Sequence, residues 1–241
     1  MMKNTYQTIK IEDLNRFLVE KQEDKYLLKM KSCQNKIFIN LPFKLNEDVA
    51  TLAGMMPDAS LIKDIRRVYF SQKKDFKKNV LFRKLLNKLF RPNNKVFIRK
   101  GKNCHDTYTN STVLCHFLHH ILDFAKSDEN MRTPEWIFNS PESVKRAYLR
   151  EAFAMEGCIF KSLSEIRFYT KDYNYALDIQ DLLSSLSIKS FLKSRIAGTH
   201  DTVQYRVSIY RKENFEKFKE IGFTNPLHVK RFKKICNKYN I

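Results

Sequence analysis

Two hydrophobic periods alternate along the chain, and the places where one gives way to the other divide it into elements. Residues 9–11, 26–30 and 36–39 alternate apolar and polar positions, which predicts a small β-containing N-terminal segment closing near Pro42 and Asn46. Asn46, followed by the acidic pair Glu47 and Asp48, opens a helix that runs through Val49-Ala50-Thr51-Leu52-Ala53-Gly54-Met55-Met56 and stops at Pro57-Asp58. Residues 60–62 and 65–72 then alternate like a strand pair. Phe76, Val80, Leu81, Leu85 and Leu89 follow at helical spacing, with Lys and Arg on the opposite side. Residues 95–99 and 106–109 flank Lys100-Gly101-Lys102-Asn103 as a hairpin, and 113–124 reads as a further helix.

The same order then recurs. Ser140-Pro141-Glu142-Ser143 is a helix start with proline at its first position, and the helix over 144–155 ends at Glu156-Gly157. Strand-like 158–160 and 165–170, an amphipathic helix over 175–186, and alternating runs at 190–196 and 203–210 around Gly198-Thr199-His200-Asp201 come next, closed by helices over 215–221 and 227–239. Measured from Asp58 to Glu156, the period is about 98 residues. The predicted organisation is an N-terminal extension over 1–45, a first half over 46–135 and a second half over 136–241.

Composition narrows the partner. The 241 residues hold 45 Lys+Arg against 26 Asp+Glu, a net charge of +19, interleaved with 11 Tyr and 19 Phe. A folded basic surface of this kind faces a polyanion, nucleic acid before an anionic membrane. A membrane-surface role would need a basic amphipathic helix with exposed Trp or Phe, which is lacking. No run of 18 apolar residues and no signal-like N-terminus occur, and the 5 cysteines are scattered without a C-x-x-C pair, as expected of reduced thiols in a cytoplasmic protein. Cys104-His105 and Cys115-His116-x-x-His119-His120 offer zinc-ligand chemistry, but the spacing is not that of a finger and the second half has no equivalent.

Two helices rich in small residues, each ending in one carboxylate, are what a protein needs to bring two acids together at a pseudo-two-fold axis and share a divalent cation. Such sites hydrolyse phosphodiesters by activating water and stabilising the leaving oxygen. Acids at helix C-termini are disfavoured by the macrodipole, so a bound cation gives them a reason to be there.

Thr51-Leu52-Ala53-Gly54-Met55-Met56-Pro57-Asp58-Ala59-Ser60 and Tyr148-Leu149-Arg150-Glu151-Ala152-Phe153-Ala154-Met155-Glu156-Gly157-Cys158 resemble the two motifs of a monomeric LAGLIDADG homing endonuclease. Pro134-Glu135-Trp136-Ile137, and Ile221-Gly222-Phe223 followed by Lys230, are similar to signatures of the archaeal and intein-borne members. Ser71-Gln72-Lys73 and Tyr169-Thr170-Lys171 resemble the family's central positions in each half, and the likeness runs from about Asn46 to Tyr239.

The resemblance implies an α+β fold of two αββαββα halves, whose antiparallel sheets form a saddle over the major groove of a long, asymmetric double-stranded DNA site. It implies Mg²⁺ (or Mn²⁺) held by Asp58 and Glu156, with Gln72, Lys73 and Lys171 ordering water or neutralising charge at the scissile phosphates. Arg66, Lys95, Arg99, Arg167, Lys193, Arg195, Gln204, Arg206 and Arg211 lie in the strands or at their ends and include the expected base-reading residues. Arms of ~10 residues at ~3.3 Å each would span about one DNA turn. The chain departs from the pattern at Ala59, where glycine usually follows the acid, and at Glu151 and Met155, where close helix packing prefers small residues. A buried Glu151 without a partner is costly, so it is expected either to face solvent or to sit on a shifted helix. Those departures leave a second reading, a cleavage-inactive DNA- or RNA-binding relative such as a regulator or maturase. With no nucleophilic first residue and no terminal His-Asn pair, the chain reads as free-standing rather than spliced from a host.

Overall fold

The computed structural model describes residues 6–241 except positions 32, 63, 74, 128, 161, 163 and 198–201, and leaves aside the side chains of 197 and 202. The turn expected at Gly198-Thr199-His200-Asp201 therefore lies outside the described residues.

The N-terminal segment supplies β1 (Thr8–Ile9), β2 (Leu18–Gln22), β3 (Lys25–Lys29), β4 (Lys36–Ile39) and β5 (Phe43–Lys44). Strands β2-β3-β4 form an antiparallel sheet, and β1 pairs with β5. The first half follows as α1 (Glu47–Gly54), β6 (Ala59–Leu61), β7 (Arg67–Gln72), α2 (Phe76–Phe90), β8 (Phe97–Lys100), β9 (His105–Asn110) and α3 (Thr112–His120). After the short α4 (Glu135–Phe138) come α5 (Glu142–Glu156), β10 (Gly157–Ile159), β11 (Ile166–Thr170), α6 (Tyr173–Ser185), β12 (Ser190–Ala197), β13 (Thr202–Ile209), α7 (Lys212–Phe218) and α8 (Pro226–Tyr239).

The repeat is topological as well as sequential. The first half's sheet has the order β6-β7-β9-β8 and the second half's the order β10-β11-β13-β12, antiparallel throughout. Helix starts obey local chemistry: the Asn46 side chain accepts from the N–H groups of Asp48 and Val49, Asp75 from Lys77, and Ser111 from Leu114. In each sheet one face is apolar and covered by helices. Val68 and Phe70 of β7 point inward with Phe70 stacked on Phe82 of α2 at 4.6 Å, and Ile166 and Phe168 of β11 do the same beneath α6, where Phe168 meets Tyr175 edge-on at 5.5 Å.

The N-terminal segment has the β content expected of it and packs into the core: Phe43 stacks on Phe90 at 5.8 Å and meets Phe117 edge-on at 5.5 Å, and Phe17 lies 6.1 Å from Phe117. Several expectations are corrected. The helix over 113–124 stops at His120, because the Phe124 N–H turns back to Leu118 O. The sheet arms are shorter than ten residues: β7 has 6, β11 has 5, and the longest, β12 and β13, have 8 each, about 26 Å at the usual rise. Strand β2 escaped the periodicity because only Leu18 and Val19 of its five residues are apolar.

Candidate active site and nucleic-acid interface

Helices α1 and α5 pack face to face at the seam between the halves. Val49, Ala50, Leu52, Ala53 and Gly54 are buried on one side, and Val144, Ala147, Tyr148, Glu151 and Ala152 on the other. At Gly54 the approach is so close that a Cβ would fall 2.4 Å from Tyr148 O and 2.9 Å from the Glu151 Cβ. Only a hydrogen fits there. This contact fixes where the helices end relative to each other, and therefore where Asp58, one turn past α1, and Glu156, the last residue of α5, stand.

The two carboxylates sense one another. Burial first, and the charge of Asp58 second, push Glu156 up to about 7. Burial also raises Asp58, partly offset by the Gln72 amide, whose Nε2 donates to Asp58 Oδ2 at 2.5 Å. Gln72 shares the strand parity of Val68 and Phe70, so the last residue of β7 turns inward to the helix end instead of out across the sheet. Desolvated, mutually repelling carboxylates are hard oxygen donors suited to a divalent cation. Among the described residues no three His, Cys, Asp or Glu side chains converge as a metal-binding group. Asp58 and Glu156 could offer a divalent cation two oxygen ligands, with the rest of its shell left to water, backbone and phosphate oxygens.

Glu156 opens into a cleft of about 370 Å³ lined also by Ser60, Lys126, Glu129, Tyr169 and Lys171. Lys171 is exposed at this cleft, and Lys73, directly after β7, is exposed too. Ala59, in the position expected of glycine, begins β6 opposite Phe70.

The expectation for Glu151 is overturned. It does not face solvent: it is 3% exposed and paired with Lys78 of α2, itself 5% exposed. Lys78 Nζ also donates to Thr224 Oγ1 at 2.6 Å. Two opposite charges and a hydroxyl thus replace the lone carboxylate whose burial would be costly.

The outward faces of the two sheets carry the basic side chains. On the second, pairing places Arg167, Tyr169, Lys193, Arg195, Gln204 and Arg206 on one face, opposite the buried Phe168 and Val207. Glu165 organises it: its carboxylate lies 2.5 Å from Arg167 Nη2 and 3.9 Å from Arg206 Nε, and accepts from Tyr210 OH at 2.6 Å. Burial pushes Glu165 up, but the hydrogen bonds from Arg167 and its neighbours outweigh this and hold it below the usual carboxylate range. Arg195 donates twice to Gln204 Oε1 and lies 5.4 Å over the Tyr169 ring. Arg211 sits past β13 at the start of α7, beside Phe191 and Lys193.

On the first sheet the outward row is Arg67, Tyr69 and Ser71 with Tyr108, Asp106, Phe97 and Arg99. Lys95 approaches the Phe97 ring at 5.6 Å. Arg66 stands before β7 and lies 3.5 Å from Asp64, whereas Arg67 takes the strand position, donating to Asn110 Oδ1 at 2.6 Å and covering Tyr108. Parity with Val68 and Phe70 is the signal that separates Arg67 from Arg66, the residue expected from the sequence. Asp106 accepts from Tyr69 OH and Ser71 Oγ, and the Tyr69 bond leads in holding it low. Nothing in the sequence marked Asp106 or Glu165 as organisers of these faces, because Tyr69 and Ser71 reach Asp106, and Arg206 and Tyr210 reach Glu165, from distant stretches of the chain.

The cysteines and histidines of 104–120 form no metal-binding group among the described residues. Cys115 is buried, with burial pushing its thiol up to about 12. His119 Nδ1 lies 2.9 Å from Phe124 O, and burial followed by the charge of His119 lowers His120 to about 4.

Comparison with known proteins agrees with this architecture. Residues 143–222 match the LAGLIDADG-like domain family. The structure of I-DmoI in complex with DNA and Mn superposes with a TM-score of 0.54 at 17% identity, covering 74% of this chain and 97% of that one, and its complex with DNA and Ca with 0.57 at 16%, covering 79% and 98%. I-DmoI is a homing endonuclease. Full-length DUF199/WhiA from Thermotoga maritima gives 0.52 at 13%, covering 84% of this chain and 64% of that one. At such identities the likeness is one of fold. Among curated relatives, a DNA gyrase polypeptide of Mycobacterium kansasii is 31% identical over 132 residues, 52% of this chain and 23% of that protein. The replicative DNA helicase DnaB of Rhodothermus marinus is 28% identical over 102 residues, 40% of this chain and 11% of that protein. The chain thus spans less than a quarter of the length of these curated relatives. The second half thus carries a LAGLIDADG-like domain, and the fold across both halves is like that of I-DmoI.

Proposed function

We propose that this protein is a site-specific double-strand DNA endonuclease acting as a single chain, in which Asp58 and Glu156 hold Mg²⁺ or Mn²⁺ at the seam between the halves. The observation that carries this reading is the convergence of two partly buried carboxylates, one from each repeat, at the ends of helices packed through Gly54. The bound cation would supply Lewis-acid stabilisation of the scissile phosphate and an activated water. Around it, Gln72 orients Asp58, while Lys73 and Lys171 offer positive charge at the edges of the two sheets. The outward rows, with Arg67, Lys95 and Arg99 on one sheet and Arg167, Lys193, Arg195, Gln204, Arg206 and Arg211 at the other, bind and read the duplex. Arg66 contributes at most a peripheral phosphate contact. I-DmoI, solved with DNA and with Mn or Ca, has the same fold, which supports the substrate and metal class.

The test is a nicking and linearisation assay on a plasmid library of randomised inserts, with Mg²⁺ or Mn²⁺ and with Ca²⁺ as a control. Cleavage by the wild type that is lost in both Asp58→Asn and Glu156→Gln is the expected result. Undiminished cleavage in either variant removes that carboxylate from the mechanism. Salt-dependent binding with no cleavage under any metal would instead assign the chain to DNA binding alone.

A further inference from the structure

The cleft beside Glu156 has a wall that belongs to neither sheet. It is the segment between the halves, whose Lys126, Ser127 and Glu129 line the same space as Glu156 and Lys171. This segment is docked: Lys126 forms a parallel bridge with Leu61, and the Ser127 N–H donates to Leu61 O at 2.9 Å, which places it along β6 a few residues after Asp58.

Lys126 is held at two points by one carboxylate. Glu129 Oε2 accepts from the Lys126 backbone N–H at 2.8 Å, and Oε1 lies 3.1 Å from Lys126 Nζ, with the lysine side chain 23% exposed. Burial pushes Glu129 up, but the backbone and ammonium of Lys126 outweigh it and hold the carboxyl low, so the clamp stays ionised. An ammonium has three donors, and the clamp uses one of them. A lysine already ordered in this way loses less rotamer freedom on meeting a ligand than the exposed Lys73 and Lys171. Lys126 and Lys171 are the two cationic side chains lining the cleft, and Lys126 is the one ordered by a clamp.

We propose that Lys126 is a DNA phosphate contact in the Glu156 cleft, presented by the segment between the halves and held in place by Glu129. The proposal rests on the nucleic-acid reading given above but not on strand cleavage, so it is tested by binding. The probe is a fluorescein-labelled duplex of arbitrary sequence, titrated with the full chain in Ca²⁺ at several salt concentrations. Each phosphate contact contributes about 0.9 to the slope of log affinity against log salt. Lys126→Met is expected to flatten the slope by about that amount, Lys126→Arg to keep it, and Lys234→Met, on the exposed face of α8, to leave it unchanged. Melting temperatures close to wild type exclude misfolding, with Lys126→Gln as a second neutral variant. A steep wild-type slope that Lys126→Met and Lys126→Gln leave intact overturns this proposal alone. A flat wild-type response overturns the nucleic-acid reading and this proposal with it.

Discussion

Among single residues, Gly54 and Glu156 carry the most. A methyl group at Gly54 would strike the Tyr148 carbonyl at 2.4 Å, a backbone atom that cannot swing away, so α1 and α5 would have to separate. Gly54→Ala should cost about 1–3 kcal/mol in urea unfolding and weaken Mn²⁺ binding measured by calorimetry. An undisturbed variant would show that the seam is looser than described. For Glu156 the folded value of about 7 exceeds the ordinary 4.5, because burial and then Asp58 disfavour its charged form. The folded state therefore holds the proton more tightly than the unfolded state. Metal-free protein should lose stability as pH rises between those values, by up to about 3 kcal/mol. Melting temperatures recorded in chelator from pH 4.5 to 8 test this, and Glu156→Gln should flatten the decline. The acids themselves were legible from their place after two small-residue helices. The elevation of Glu156 was not, since it depends on what α5 and the neighbouring half exclude from water.

Between elements, the Lys78–Glu151 pair ties α2 of one half to α5 of the other. Removing one partner leaves a charge stranded in the seam, whereas removing both leaves an apolar interface. Lys78→Met should therefore destabilise by about 3–5 kcal/mol, while the double variant Lys78→Met with Glu151→Leu should recover most of that loss. Equal destabilisation by single and double variants in chemical denaturation would mean that the pair contributes through attraction and not by mutual neutralisation. Sequence periodicity located both helices but misjudged Glu151, because its partner lies 73 positions earlier in the chain. The sheet faces, left open by the sequence, follow from strand pairing: Val68 and Phe70 turn inward with Arg67 outward, and Phe168 and Val207 turn inward with Arg167 and Arg206 outward. Arg66 and Arg67 are neighbours in the chain, yet in a strand a step of one residue reverses the face.

For the whole molecule, the N-terminal segment and the first half share one core through Phe17, Phe43, Phe90 and Phe117. Deleting residues 1–45 uncovers the rings of Phe90 and Phe117, each a large apolar surface. The truncated chain should lose its cooperative melting transition or aggregate. A soluble truncation that melts like the full chain would show that the segment is dispensable to the core.

Much of this protein is written locally, in residues close together in the chain. Helix and strand periods, the capping residues Asn46, Asp75 and Ser111, the duplication at about 98 residues and the single acid that closes each motif are all patterns of that kind. Folding in three dimensions was needed to set how distant stretches answer one another: Gly54 against Tyr148, Glu151 against Lys78, Glu165 beneath Arg206, and Lys126 beside Glu156 in one cleft. Burial and charge at those contacts arise from groups brought together by packing, and no periodicity along the chain records which groups those are.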